Sequence, residues 1–543
     1  MVAASAFAVG LSLPVVHEAV PHNGIHDAIS GAEAAARGAD STSARRKSNC
    51  PKRSAPTIRD GFPQPRYLKS RNGRLLARLR AELGPTEING QTYQSTTYNG
   101  EYPGPTLVIC PGDLLRINLR NALDPANYPG ASGQYGVPLP MDDEPDIRGE
   151  TNIHTHGFHV TPRRPSDNIF VVIKPGEVFR YRYKIPRAHP PGFYWYHPHR
   201  HGQTNVQDFG GMNGGIIIKG GIDSAKRWRK IGTRDLVINQ TALGVDAAAC
   251  GPVVPFPCTI QPKPRGTLLV GDVRVPFVPP AQRFVNGALN PEIKIQPGEL
   301  QRWRIANTSV SSFLCMQLEG QPFQVLALDG NYLRRITTED TMLIGPSSRR
   351  EVLVVGPPAG TYALNQLSLS ATGCAAPGAQ TLATLNSSGP TVTPKQPPRR
   401  LPDQQRDLRN DQINSTHDIV YSQQPPNFFI NGEQFTGPEN VMERLELNKT
   451  SEWTIQNTTT DWHTFHIHIN DFQITELNGQ PVDQVRFADN ISIPPGQSVT
   501  LRYRPTDFTG KFVFHCHVLG HEDNGMMAVV EVVKNLPDGA RHN

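Results

Sequence analysis

The 543-residue chain has no run of 18 apolar residues, which excludes an ordinary membrane-spanning helix. Charge is sparse, at 19% of residues with a net of +6, and no basic cluster is interleaved with aromatics. A nucleic-acid partner is therefore not expected. Met1 to Val16 are apolar and small, like the core of a signal peptide, but lack the basic stretch that would complete one. From Ala32 to Lys52 the chain is rich in Ala, Ser and Arg with no apolar period, so disorder is expected there. Residues 1–54 are read as a flexible tail, with at most a remnant signal segment. Cysteine is limited to seven residues: Cys50, Cys110, Cys250, Cys258, Cys315, Cys374 and Cys516. Cys516 stands apart in a His-rich motif. The other six permit three disulfides and an oxidising, secreted or periplasmic location. Cys250 and Cys258 bracket a short loop and make the best pair; Cys315 with Cys374 is a second choice.

What the chain does have is length, glycine and proline. Its 543 residues suggest about three or four domains. Gly 48 and Pro 50 suit many short strands joined by turns. Three segments begin with Asn-Gly, continue as β-rich sequence and end near an Asn: Asn99 to Asn121, Asn286 to Asn307, and Asn431 to Asn457. Such weak internal repetition signals one unit used three times. The expected fold class is all-β, with three Greek-key β-barrel or sandwich domains. They are placed at 55–222, 223–390 and 410–536, with a Pro-rich linker at 391–409.

The histidines carry the chemistry. HTHG holds His154 and His156, and YWYHPHRHG holds His197 and His199. HTFHIH holds His463, His466 and His468, and HCHVLGHEDNGMM holds His515, Cys516, His517, His521 and Met526. On a strand, residues i and i+2 share a face, so each His-x-His aims two imidazoles at one point. A lone pair is ordinarily two surface histidines. Four pairs in two related domains point to metal, and imidazole suits copper, zinc, iron and nickel. Cys516, between His515 and His517, faces the other side of its strand. His463, Cys516 and His521 with a weak axial Met526 make the ligand set of a blue-copper electron-transfer site. The remaining eight histidines suffice for a three-copper cluster. Domain one has Pro198 where domain three has Cys516. Domain two has SVSSFLCMQLEG where domain three has TTTDWHTFHIHIN, and so reads as a spacer. The cluster is expected where domains one and three meet.

With these motifs in order, residues 90–535 resemble the three-domain multicopper oxidases of the laccase, bilirubin oxidase and spore-coat laccase kind. The resemblance implies cupredoxin-like domains and four coppers per chain. It assigns His463, Cys516, His521 and Met526 to the type 1 copper, and His154 and His466 to type 2. The type 3 pair takes His156, His197, His199, His468, His515 and His517. His159 and His201 match no ligand position. Glu522 matches an acid implicated in proton delivery, and Asp167 resembles the acid near the type 2 site; both, like Cys516, are expected to take part in turnover. The implied reaction is one-electron oxidation of a small reducing substrate, by default a phenol or aromatic amine, coupled to reduction of dioxygen to water. A ferrous, manganous or cuprous oxidase is the alternative, with Asp461, Asp471, Glu522 and Asp523 as its possible acids. No Met-rich insert marks a cuprous oxidase. A non-catalytic electron carrier would not need eight further histidines, and a nitrite reductase should lack the type 3 set.

Overall fold

The computed structural model describes residues 50–51, 55–125, 147, 149–223, 225–226, 228–241, 282–394, 397, 401 and 405–536. The expected Cys250–Cys258 bridge and most of the N-terminal tail lie outside them.

The three Asn-Gly signals form three equivalent hairpins. Asn99, Asn286 and Asn431 take φ of 62°, 51° and 52°, and the glycines after them 69°, 83° and 78°. Positive φ at both central residues is the tight-turn geometry that Asn-Gly adopts at little cost. The flanking residues bridge across each turn: Tyr98 with Glu101, Val285 with Ala288, and Ile430 with Glu433.

The strands form six sheets that pack as three pairs. The first pair joins the sheet Gln91–Tyr98, Arg74–Ile88, Leu114–Ala122 and Val178–Lys184 to one that ends in Gly192–His197 and His154–His156. The second is built on Gly232–Thr241 and Leu300–Asn307 in one sheet and Leu314–Leu318 and Gly360–Ser370 in the other. The third places Thr450–Asn457 and Ser498–Tyr503 opposite His463–Ile467 and Gly510–Cys516. These are cupredoxin-like domains. Alternation along Arg74–Ile88 sends alternate side chains inward and outward, the pattern of a strand with one buried face. Each pair encloses its own apolar core, with Trp303 in the second and Trp453 in the third, both fully buried. Burying a large apolar side chain contributes about 1.5–3 kcal/mol. Phe62 and Ile222 pack into the second core, and the Arg234 guanidinium binds the Asp60 carboxylate. The segment ahead of Tyr67 thus lies on the second pair.

One strand pairing recurs in all three units and positions the site. In the first, His154–His156 runs antiparallel to Gly192–His197, with His154 opposite His197. In the third, His463–Ile467 runs antiparallel to Gly510–Cys516, with His466 opposite His515 and Phe465 opposite Cys516. In the second, Leu314–Leu318 runs antiparallel to Gly360–Ser370, with Cys315 opposite Leu367. Disulfides join Cys315 to Cys374 and Cys50 to Cys110, with Cα–Cα separations of 5.4 and 5.2 Å. The first pairing is the second choice expected from sequence; no spacing marks Cys50 with Cys110. Cys516 is the free cysteine among the described residues.

Candidate metal centres

The eight cluster histidines converge between the first and third units. Each is at most 1% exposed. Rings from opposite units stack in two pairs, His154 on His468 and His156 on His466, both with centroids 3.9 Å apart. His199 and His515 lie edge to face at 4.9 Å, and His197 and His517 at 5.2 Å. Ligand nitrogens of His154, His156 and His197, of His154, His466 and His468, and of His199, His468 and His515 lie within 4.8 Å of one another.

Contacts around the cluster fix which nitrogen of several rings faces it. His197 Nδ1 donates to the Pro198 carbonyl at 2.7 Å, and His466 Nδ1 to the Asp489 carbonyl at 2.7 Å. His154 Nδ1 donates to Asp167 Oδ2 at 2.8 Å; Asp167 Oδ1 accepts from the Thr155 N–H at 2.8 Å. His156 differs, because its Nε2 donates to Asp489 Oδ1 at 3.1 Å. The inward nitrogens left over are His154 Nε2, His156 Nδ1, His197 Nε2 and His466 Nε2, and none has a hydrogen-bond partner. Buried polar atoms without partners are costly. Outer partners that aim one ring nitrogen at a common point are the signature of metal-binding histidines. Burial first, and neighbouring imidazoles second, hold His156, His197, His466, His468 and His517 well below the usual imidazole range. His199 is held to about 3, again mainly by burial. Neutral imidazole is the ligating form.

A second group lies on the far face of Gly510–Cys516. Cys516 Sγ is 3.4 Å from His463 Nδ1 and 3.7 Å from His521 Nδ1, and the two nitrogens are 3.2 Å apart. Burial pushes the Cys516 thiol up to about 12, so a thiolate there requires a cation. Met526 is fully buried in the same core as Cys516. Its carbonyl accepts the Cys516 N–H at 3.0 Å and its N–H donates to the His521 carbonyl at 2.9 Å. The donors present, two imidazoles with a thiol and eight clustered imidazoles, fit copper at both places.

Both acids singled out in the sequence are buried beside histidines. Glu522 is fully buried, with Oε1 at 3.3 Å from His199 Nδ1 and Oε2 at 3.1 Å from His515 Nδ1. Burial favours its neutral form, but the two facing imidazoles outweigh burial and hold the carboxyl below the usual carboxylate range. Asp167 is 2% exposed and bound to His154 as above. His159 binds the exposed Asp507 through Nε2 at 2.8 Å. His201 is buried, with its ring against Phe435 and neither ring nitrogen partnered.

Several supporting residues were not found from sequence. Asp489 touches His156 and His466, Thr459 Oγ1 bonds His463 Nε2 at 2.8 Å, and Phe428 stacks on His521 at 4.1 Å. The second unit, read as a spacer, supplies the buried Arg349 to Asp489. None belongs to a recognisable motif, because each reaches its histidine only through the folded sheets.

Two metal-ligand groups joined by one strand in a three-unit β fold define a copper protein of the oxidase type. Multicopper oxidase family descriptions match residues 81–128 with 145–221, 235–390 and 405–535, and the chain belongs to the multicopper oxidase family. The match starts at 81, before residue 90, within Arg74–Ile88, which pairs in parallel with Leu114–Ala122 as a strand of the first unit. The chain is 26% identical over 483 residues to the multicopper oxidase mco of Staphylococcus haemolyticus, covering 86% of this chain and 90% of the relative. It is 24% identical over 502 residues to the laccase of Bacillus subtilis, covering 84% and 92%. Among solved structures, the Campylobacter jejuni multicopper oxidase, described as a metallo-oxidase, matches with a TM-score of 0.65 at 23% identity, covering 89% of this chain and 98% of that one. McoA from Aquifex aeolicus matches with a TM-score of 0.69 at 20% identity, covering 88% and 99%. The protein is a copper-dependent oxidoreductase.

Proposed function

We propose that the protein is a laccase-like oxidase that takes single electrons from phenols or aromatic amines and reduces dioxygen to water. His463, Cys516, His521 and Met526 hold the type 1 copper. His154 and His466 hold type 2, and His156, His197, His199, His468, His515 and His517 hold the type 3 pair. The observation that carries this reading is the single tripeptide His515-Cys516-His517. Its sulfur lies within 3.4–3.7 Å of two imidazoles on one face, while its two histidines join the eight-imidazole group on the other.

Copper bound at these sites supplies one-electron redox chemistry and dioxygen binding. The chain's own residues do the rest. The half-buried His521 ring, stacked on Phe428, offers an aromatic edge to an approaching donor. The Cys516 sulfur, 3.7 Å from His521 Nδ1, is joined through its own backbone to His515 and His517. Glu522 sits between two cluster imidazoles, where a carboxylate can pass protons inward. Asp167 fixes the ring of His154 and stands close enough to share that task. The exclusion of water around eight rings at most 1% exposed keeps the reduction enclosed.

The placement of the acids favours an organic donor over a metal ion. Of Asp461, Asp471, Glu522 and Asp523, three are taken up inside the protein. Glu522 faces the cluster, Asp523 accepts the N–H groups of Gly202 and Asn205 at 2.7 Å, and Asp471 accepts from Gln405 at 2.9 Å. Asp461 alone of the four is exposed. The two disulfides support an oxidising, secreted or periplasmic location. The test is copper content and absorption spectrum of copper-loaded protein, followed by turnover of a substituted phenol against ferrous iron. Four coppers, an intense blue band and preference for the phenol are expected. A single copper, or zinc throughout, overturns the assignment of the sites; preference for iron overturns only the substrate.

A further inference from the structure

Arg349 opens the strand Arg349–Val355 of the second unit, in a stretch of chain with no histidine between His201 and His417. Its side chain is nevertheless buried at the centre of the molecule, 1% exposed. All five of its N–H donors are spent. Nη1 donates to Asp489 Oδ1 at 2.7 Å and to the Ser347 carbonyl at 3.2 Å. Nη2 donates to Asp489 Oδ2 and, at 3.2 Å, to the Asp329 carbonyl. Nε donates to the Phe193 carbonyl at 3.2 Å, on the strand that carries His197. One guanidinium therefore ties together a first-unit strand, its own unit and a third-unit carboxylate.

That carboxylate faces the cluster. Asp489 Oδ1 accepts from His156 Nε2 at 3.1 Å, and the Asp489 carbonyl accepts from His466 Nδ1 at 2.7 Å. The fork of Arg349 leaves Asp489 no free rotation, because both oxygens are taken. The backbone beside His156 is shaped around this fork. Gly157 has φ of 79°, and a Cβ there would lie 2.5 Å from Arg349 Nη2 and Asp489 Oδ2. Burial opposes the guanidinium's charge, and the Asp489 and Asp329 carboxylates more than offset it.

We infer that Arg349 is a positioning residue for the eight-histidine site: by locking the Asp489 carboxylate it makes His156 present Nδ1 to bound metal. The domain without ligands thus sets the orientation of a ligand in the first, through a carboxylate of the third. This rests on reading the eight histidines as the trinuclear copper site. Lysine cannot replace the fork, since it keeps the charge but offers three donors from one point.

The test uses full-length protein stripped of copper and reloaded. Arg349→Lys is compared with Arg304→Lys, which alters an equally buried pair of the same unit, Arg304 with Asp235, that touches no histidine. Copper per chain, the blue band and the type 2 paramagnetic signal are read. Arg349→Lys is expected to keep the blue band while its cluster copper binds roughly 10–100-fold more weakly, the usual cost of removing an outer partner of a ligand. Arg304→Lys should load like the parent. Parent-like loading of Arg349→Lys, or equal loss in Arg304→Lys, overturns the inference. A parent that takes up no cluster copper overturns instead the reading on which it rests. If Arg349→Lys does not fold, Arg349→Gln/Asp489→Asn, which leaves Asp329 paired with Arg350, is compared with Asp489→Asn alone; weaker cluster loading in the double variant than in the single one supports the role, and equal loading overturns it.

Discussion

The same antiparallel strand pair exists in the second and third units, yet only one has ligands. In the third, His463–Ile467 lies against Gly510–Cys516 and offers His463, His466 and Cys516. In the second, Leu314–Leu318 lies against Gly360–Ser370 and offers Leu314, Cys315 and Met316, with Cys315 in a disulfide. Both strands are buried. Leu314 and Met316 fill the second core, whereas His466 and His468 face a histidine-bearing strand of the first unit. The backbone scaffold is therefore indifferent to the chemistry placed on it. What makes a site is a second His-bearing edge opposite, and the second unit lacks that partner.

Removing the residue that distinguishes the third unit should have the largest effect. Cys516→Ser is expected to abolish both the blue band and turnover while leaving the eight-histidine site metallated. Absorption, copper analysis and oxygen uptake check this; retained oxidase activity in a verified variant refutes the link through Cys516. Next comes proton supply. Glu522→Gln should keep copper content and the blue band but slow dioxygen reduction by roughly 10²–10⁴-fold, the range of a positioned acid or base. Turnover equal to the parent's at every pH would make Glu522 a merely structural contact.

Smaller still is the loss of an outer contact. Asp167→Asn offers His154 Nδ1 a weaker acceptor, and copper affinity at the cluster should fall roughly 10–100-fold. Equilibrium dialysis against a chelator measures it, and an unchanged affinity assigns Asp167 to the Thr155 backbone alone. The comparison can also be pressed from the other side. Leu314→His/Met316→His writes His-x-His into the second unit. With no facing histidines, it should gain no copper and lose about 2–5 kcal/mol of stability, as for large losses of core packing. Bound extra copper would show that one strand suffices.

Much of this was legible in the sequence. Strand alternation forces His-x-His pairs to converge and Cys516 to face away, and Asn-Gly marks the three hairpins. The supporting contacts were not legible. Arg349 and Asp489 are 140 positions apart in different units, and nothing local requires them to meet. Glu522 and Asp523 are neighbours in sequence but turn to different partners, His199 and His515 for one and the Gly202 and Asn205 amides for the other. Only the short helix Leu519–Asp523 decides which is which. Cys50–Cys110 could not be chosen because six cysteines allow many pairings.

The smallest effect is expected at Met526. Its place is fixed by backbone bonds to Cys516 and His521, and its side chain is fully buried in the third core beside Cys516. A buried methionine is ordinarily packing, and Met316 and Met342 play that part in the second core. Met526 differs in that its backbone is bonded to Cys516 and His521, a place where a soft thioether is suited to be a weak axial donor. Such a donor stabilises the oxidised metal, so removing it should raise the type 1 potential. Met526→Leu does this at nearly constant volume, and cores tolerate that swap for less than about 1.5 kcal/mol. The blue band should persist, because its thiolate is untouched. Redox titration of that band in parent and variant gives the sign directly. An unchanged or lower potential in a fully loaded variant would assign Met526 to packing, and the third core would then treat its methionine as the second does.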